Sequence, residues 1–169
     1  MRETFFDSHC HLMHPRFAGD LDAVMERSRA AGVTQLLFVG TDVESSQQAI
    51  HLAETHDGCY ASVGIAPHEA GKVPLSSVEA LADLARHPKV VAIGETGLEY
   101  HHARTSREVQ QALLRRHLEL ARQVGLPLVF HHREADTDWR RILEEEGLPE
   151  AGGVMHLSLI HISEPTRPY

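Results

Sequence analysis

Short apolar runs alternate with amphipathic stretches along most of the chain. Six apolar runs have the length and β-branched content of buried strands, and they begin near Thr4, Thr34, Tyr60, Val90, Leu126 and Gly153. The stretches between them repeat apolar residues at helical spacing and predict helices over about 21–31, 43–56, 76–86, 105–124 and 139–147. A strand–helix repeat of roughly 26–36 residues is typical of βαβ crossovers in a parallel sheet.

Polar residues predict where several of these helices begin. Asp42 or Thr41 can cap the second helix. Residues 76–79 (SSVE) and 105–108 (TSRE) have the pattern of a capping box, in which the first and fourth residues exchange hydrogen bonds with the backbone. These patterns predict side-chain caps at Ser76 and Thr105.

Histidines or carboxylates stand at the carboxyl ends of the first, third, fourth, fifth and sixth predicted strands. In a (β/α) barrel all strand ends converge on one mouth, whereas an open sheet gathers ligands mainly at one switch point. The distribution therefore favours an α/β fold, an incomplete TIM-type (β/α)8 barrel with about six βα units.

Residues 90–100 place a carboxylate next to an apolar strand. The strand is predicted to end at Ile93, and Glu95 stands just past it. Burying a lone carboxylate costs roughly several kcal/mol unless a cation compensates it. Lys89 lies before the strand, but 14 of the 169 residues are histidines, several of them at strand ends. A shared metal ion accounts for both features.

His9 and His11 are two residues apart on the first predicted strand, so their side chains point to one face while Cys10 points to the other. Such a pair can hold a cation, although the same motif also occurs at strand ends that face water. Glu95, His131 and His156 each follow an apolar run closely. The candidate metal ligands are therefore His9, His11, Glu95, His131 and His156, with Glu95 also the candidate catalytic residue. Imidazoles and a carboxylate suit zinc, manganese, nickel or iron without distinguishing them.

Three residues near these ligands are candidates for substrate binding. His68 follows the third strand, and the alternative is a loop histidine without a ligand. Arg133 shares the face of His131 and can present a bidentate fork to a phosphate, or it can pair with Glu134 or another surface carboxylate instead. Glu99 stands on the predicted loop after Glu95, beside Tyr100, where it can contact substrate. Six other residues receive no direct role. We expect surface positions or support of the site for His101, His102, His117 and His132. Cys10 and Cys59 are expected to be small core residues.

Composition limits the classes of protein. With 42% hydrophobic residues, the chain is expected to bury one core in one domain. It contains no apolar run of about 20 residues that could span a bilayer, the first residues do not resemble a signal peptide, and two cysteines make no disulfide framework. We therefore expect a cytoplasmic protein without a membrane or an obligate protein partner. The net charge of −8 argues against a broad basic surface for nucleic acid.

At these residues the chain resembles the TatD family of metal-dependent hydrolases, a branch of the amidohydrolase-like barrels. The matching segments follow the family's order and are 6–12 (FDSHCHL), 64–70 (GIAPHEA), 93–101 (IGETGLEYH), 118–122 (LELAR), 125–135 (GLPLVFHHREA) and 153–156 (GVMH).

The resemblance implies a two-metal site, with His9 and His11 on one ion, Glu95 bridging, and His131 and His156 on the other. The divalent ions could be magnesium, manganese, zinc, nickel or iron. It also implies phosphodiester hydrolysis, as a deoxyribonuclease of the 3'-5' exonuclease type that trims nucleic-acid ends.

The chain departs from the family pattern at three places. Ala66 stands where the family usually has a histidine, and Glu99 replaces its usual aspartate. The family continues beyond His156 with two further strands and a late aspartate, whereas residues 158–169 resemble a translated sequencing adapter. We therefore expect residues 1–157 to form a partial barrel and residues 158–169 to be a non-native tail.

Two alternatives to a nuclease remain open at this point. The same metal-lined mouth can polarise the carbonyl of a small amide or lactone, which is amidohydrolase chemistry. An inactive truncated barrel that serves only as a scaffold is the non-enzymatic alternative.

Overall fold

Six parallel strands form the framework of the protein, seen in a computed structural model that describes residues 3–102 and 104–156. The strands are β1 (Phe5–Cys10), β2 (Val33–Val39), β3 (Cys59–Val63), β4 (Val90–Glu99), β5 (Leu128–Arg133) and β6 (Gly153–His156). The helices are α1 (Leu21–Ala30), α2 (Val43–Thr55), α3 (Ser77–Leu84), α4 (Arg107–Val124) and α5 (Asp136–Glu146), with a short 3-10 helix at Pro15–Phe17.

The strands lie in the order in which they occur in the sequence, β1 to β6, and all neighbouring pairs are parallel. The sheet curls into a nearly closed barrel. This curvature is seen in the stacking of His9 on β1 with His156 on β6, whose ring centroids are 3.8 Å apart. The predicted α/β fold with about six βα units is therefore confirmed. The predicted tail at 158–169 lies outside the described residues.

Alternation along the strands builds two apolar layers. On β2, Leu36 and Phe38 pack in the large cluster that includes the helices, whereas Leu37 and Val39 belong to a smaller cluster. The buried members of the smaller cluster all come from strands. Because successive strand residues point to opposite faces, this smaller cluster fills the barrel interior, and the larger one lies between sheet and helices.

The helix caps agree with the sequence only in part. Asp42 caps α2, since its Oδ1 accepts from the Ser45 amide at 2.7 Å and the Ser45 hydroxyl accepts from the Asp42 amide. The predicted caps at Ser76 and Thr105 are wrong. Ser76 already has helical dihedral angles and makes no side-chain cap bond, and Ser106 rather than Thr105 accepts from the Val109 amide.

Two strands are longer than predicted. β4 runs through Gly94 to Glu99, and β5 runs on to Arg133, because the two strands stay paired from Thr96 opposite Phe130 to the last residue of each. A register shift interrupts the pairing between Ile93 and Thr96 without ending it. Glu95, Glu99 and His131 therefore stand within paired strands, not on loops beyond them.

The two outer strands of the described sheet carry four exposed apolar side chains. Phe5 and Phe6 on β1 are 54% and 49% exposed, and Val154 and Met155 on β6 are 44% and 40% exposed. Within the described part of the chain these two strands each pair on one side only. No helix in residues 3–102 or 104–156 has the length and apolarity needed to cross a membrane.

His117 lies completely buried on α4 and not at the surface. Its Nε2 accepts the amide N–H of Ile65 at 3.0 Å, so the proton of the neutral ring sits on Nδ1, which donates to the carbonyl of Leu113 at 2.8 Å. Burial lowers the pKa of His117 to about 4. The folded state therefore requires a neutral imidazole at this position.

This requirement predicts acid sensitivity. Below the ordinary pKa of 6.5 the unfolded chain binds a proton that the folded chain rejects down to pH 4. The His117 contribution is therefore fully present above pH 6.5 and falls by about 3 kcal/mol as the pH drops to 4. Urea unfolding of the parent and of His117→Gln at several pH values measures this contribution. It appears as a difference between the two proteins in the slope of the free energy of unfolding against pH. Parallel pH profiles of the two proteins would contradict the assignment.

Candidate metal centre

The carboxylate of Glu95 is 2% exposed and lies among four imidazoles at the mouth of the barrel. Its Oε1 is 2.6 Å from Nδ1 of His131 and 2.9 Å from Nε2 of His156. Its Oε2 is 3.7 Å from Nε2 of both His9 and His11. The structure thus brings together all five predicted ligands, which come from β1, β4, β5, β6 and the residue after β1.

A backbone carbonyl orients the ring of His11, and a carboxylate holds the backbone of His9. The Nδ1 of His11 lies 2.9 Å from the carbonyl of Val39 and donates to it, which directs Nε2 toward Glu95 and toward Nε2 of His9, 3.0 Å away. The amide of His9 donates to the carboxylate of Asp7 at 3.0 Å. Cys10 points away, with its thiol 3.3 Å from the carbonyl of Leu37. Burial raises the pKa of this thiol to about 12, in agreement with a core position.

Two glycines let β4 approach its neighbours closely enough to place Glu95. Gly94 and Gly97 both have positive φ, at 140° and 147°. A Cβ at Gly94 would overlap the backbone of Val129, and one at Gly97 would overlap the carbonyl of His131. Between them, the amide of Glu95 donates to the carbonyl of Gly40 at 2.8 Å. The carboxylate position is therefore fixed by backbone contacts that only glycine permits.

The electrostatics keep this carboxylate ionised. Burial alone raises the pKa of Glu95, but its hydrogen bonds to His131 and His156 outweigh burial and hold the pKa well below its usual range. Burial also disfavours the charged form of His131 and by itself lowers its pKa. Its hydrogen bonds to Glu95 and Glu99 outweigh burial, so the net pKa of His131 is raised. Burial lowers the pKa of His9 to about 4, which leaves that ring neutral.

This donor set fits a divalent metal ion. One ligand atom from each of His9, Glu95 and His156 lies within 4.8 Å of the others. Neutral imidazoles and an ionised carboxylate are the ligands that zinc and related divalent ions take. A buried anion also needs a cation nearby, because its desolvation is otherwise uncompensated.

Glu99 faces the candidate ligands and is 5% exposed. Its Oε2 is 3.0 Å from Nε2 of His131, and its Oε1 accepts from the amide of His102 at 3.1 Å. Burial raises the pKa of Glu99, but the hydrogen bonds from His131 and His102 outweigh it and lower the net value. His131 is thus held between two carboxylates.

The other two predicted substrate contacts lie around the mouth. The ring of His68 is 6.4 Å from that of His131, with about a third of its side chain exposed. Arg133 ends β5 opposite Glu99, and its side chain makes no hydrogen bond or ion pair with residues 3–102 or 104–156. The alternative pairing of Arg133 with Glu134 is not seen, since Glu134 instead contacts His101 at 2.6 Å.

Sequence reasoning missed the buried Gln110, and it placed His117 either at the surface or in support of the site without identifying its partner. Gln110 is 1% exposed and bonds to the backbone of Glu99, and His117 bonds to the backbone of Ile65 near His68. Both fall on the apolar face of α4, among Leu113, Leu114 and Leu118. The sequence does contain a signal for these two residues, since both are polar but stand at positions that helical spacing assigns to the buried face of α4.

A nearly closed barrel of βα units with imidazoles around a buried carboxylate at its mouth defines the class of barrel-fold, metal-dependent hydrolases. Within this class the chain belongs to the TatD family. The profile of the family described as TatD related DNase matches residues 6–163.

Named relatives agree with this membership. The uncharacterized metal-dependent hydrolase YabD of Bacillus subtilis is 37% identical over 151 residues, covering 89% of this chain and 59% of YabD. The 3'-5' ssDNA/RNA exonuclease TatD of Klebsiella pneumoniae is 36% identical over 153 residues, covering 89% of this chain and 57% of that protein. The chain therefore spans less than two thirds of the length of these relatives.

Solved structures share the fold. YjjV, a TatD homologue from Escherichia coli, superposes with a TM-score of 0.80 at 35% identity, covering 86% of this chain and 57% of YjjV. A TatD family hydrolase from Entamoeba histolytica also gives a TM-score of 0.80, at 23% identity, over 92% of this chain and 58% of its own.

The close contact between β4 and β5 predicts that Gly97→Ala destabilises the protein. The added methyl group would overlap the carbonyl of His131 at a backbone φ that alanine rarely adopts. We expect a loss of roughly 3 kcal/mol in the free energy of unfolding, measured by urea titration. Gly19→Ala is the matched control, since a Cβ there meets no atom within 4 Å. Equal stabilities for the two variants would disprove this role of Gly97.

Proposed function

We propose that the protein is a metal-dependent phosphodiesterase that acts on nucleic-acid ends, of the 3'-5' exonuclease type. The observation that carries the proposal is the buried, ionised Glu95 surrounded by His9, His11, His131 and His156 at the mouth of a TatD-family barrel. The relatives named as 3'-5' ssDNA/RNA exonucleases support the choice of reaction.

In this proposal Glu95 and the four histidines would hold two divalent ions. When bound, such ions supply a water of lowered pKa and neutralise charge on the phosphate. One oxygen of Glu95 faces His9 and His11 and the other contacts His131 and His156, so imidazoles that could hold an ion lie beside both oxygens. Magnesium, manganese, zinc, nickel and iron all remain compatible with these ligands.

Arg133, His68 and Glu99 are the proposed substrate contacts. Arg133 ends β5 without an ion-pair partner among residues 3–102 and 104–156, so its guanidinium is available to a phosphate. The partly exposed His68, whose ring lies 6.4 Å from that of His131, can donate to a phosphate oxygen. Glu99 already contacts His131 and orients that ring, and its carboxylate lines the wall of the mouth.

The net charge favours strand ends over long duplexes as substrates. A net charge of −8 argues against a broad positive surface that could follow a nucleic-acid backbone. A terminal phosphodiester needs only the metal centre and one or two donors, all of which lie at the mouth. This supports end-directed cleavage.

Glu95→Gln is expected to abolish cleavage. The amide keeps the shape but removes the negative charge between the histidines, so bound metal and activity should both fall, the activity by roughly 100-fold or more. Hydrolysis of 3'-labelled single-stranded DNA with and without chelator measures the activity, and elemental analysis measures the metal. Glu79→Gln, an exposed change on α3, is the matched control.

This experiment, repeated with small amides and lactones as substrates, separates the candidate functions. Activity that survives the chelator, or no cleavage with any divalent ion, would refute a metal-dependent nuclease. Metal-dependent cleavage of small amides or lactones, with none of phosphodiesters, would establish the amidohydrolase alternative instead.

Arg133→Met is expected to weaken substrate binding. Losing a charge-assisted hydrogen bond to phosphate should raise KM for an oligonucleotide roughly 10- to 100-fold, with a smaller change in kcat. Steady-state kinetics with single-stranded oligonucleotides measure both constants. Arg86→Met, which removes an exposed arginine paired with Asp83, should leave them unchanged. An unaltered KM in Arg133→Met would exclude a phosphate contact.

A further inference from the structure

Helix α4 carries two buried polar side chains on one face. Gln110 is 1% exposed and His117 is fully buried. They are seven residues apart, two helical turns, so they point in the same direction from the helix. Each one reaches the backbone of a different strand end at the mouth.

Gln110 holds the end of β4. Its Oε1 accepts from the amide of Glu99 at 2.8 Å, and its Nε2 donates to the carbonyl of Glu99 at 3.1 Å. The same Nε2 lies 3.0 Å from the carbonyl of Thr105. A single side chain therefore satisfies both backbone groups of the residue whose carboxylate contacts His131.

His117 holds the segment that follows β3. Three consecutive amides there have three different partners. Gly64 donates to the Ser46 hydroxyl at 3.2 Å, Ile65 to Nε2 of His117 at 3.0 Å, and Ala66 to the carbonyl of Thr41 at 2.8 Å. His68 is two residues beyond Ala66. The only one of these three bonds that reaches across to α4 is the one to His117.

We propose that Gln110 and His117 are positioning residues, through which α4 sets the distance between Glu99 and His68 across the mouth. Both receiving segments are buried, so neither backbone group could turn to water if its partner were lost. The helix between the two contacts is a continuous 18-residue element, which makes the spacing rigid. The inference deepens the proposed function, on which it rests for the roles of Glu99 and His68.

Amide hydrogen exchange of the full chain tests this without relying on activity. In Gln110→Met we expect exchange at Glu99 to accelerate roughly 10- to 100-fold, with Ile65 changed less than about twofold. His117→Leu should show the reverse pattern. His117→Gln should restore slow exchange at Ile65, because its side-chain oxygen can replace the Nε2 acceptor.

Matched controls remove a glutamine and a histidine from exposed helix positions. Gln123→Met on α4 and His51→Leu on α2 should leave both amides unchanged. Equal acceleration at Glu99, Ile65 and β2 amides such as Phe38 would indicate only general destabilisation and would overturn the proposal. No acceleration at either amide would overturn it as well.

Two further measurements keep the proposal testable if the leucine or methionine variants do not fold. The ¹⁵N spectrum of His117 in the unmodified protein should show an unprotonated Nε2, and a protonated Nε2 would refute the contact with Ile65. In oligonucleotide kinetics, His117→Leu should raise KM more than it lowers kcat. A parent protein without nuclease activity would defeat the proposed function, whereas the exchange pattern would still decide whether α4 positions the two segments.

Discussion

A carboxylate removed from water must be matched by positive charge, and Glu95 imposes this constraint on the mouth of the barrel. The group is 2% exposed and remains ionised because imidazoles surround both of its oxygens. His131 illustrates the balance. Burial disfavours its protonated form, but the carboxylates of Glu95 and Glu99 favour that form more strongly. His9, by contrast, is held neutral. The site thus combines one firmly anionic carboxylate with several imidazoles, of which His9 is neutral, and these are the side chains that a divalent metal centre uses.

The rest of the fold serves to place this charge. Glycines at 94 and 97 let β4 pass close to β5, so that Glu95 and Glu99 both meet His131. Behind the sheet, α4 buries an apolar face and also sends Gln110 and His117 to two strand ends. Packing energy and site geometry are therefore supplied by the same helix. A shift of α4 in the core would therefore also move the strand ends that it contacts at the mouth.

The sequence predicted features that depend on local spacing and failed where long-range pairing decides. The two-residue spacing of His9 and His11, the alternation of strands and helices, and the cap at Asp42 could all be read from neighbouring residues. The true length of β4 could not, because residues 96–99 are held in the sheet by β5, more than 30 positions later. Ser76 has the composition of a cap, but its backbone has already entered the helical region. The roles of Gln110 and His117 were hidden because their partners are backbone groups of distant segments, which have no signature in composition.

The stacking of His9 on His156 also bears on how the sheet keeps its curvature. These two rings come from the first and last strands, which are not paired to each other among the described residues, yet their centroids are 3.8 Å apart. Any cation shared by these rings and Glu95 would hold β1 and β6 close to each other. Ligation and resistance to uncurling would then be thermodynamically linked, each favouring the other by mass action. Binding of the cation at the mouth and closure of the barrel would in that sense be one coupled equilibrium.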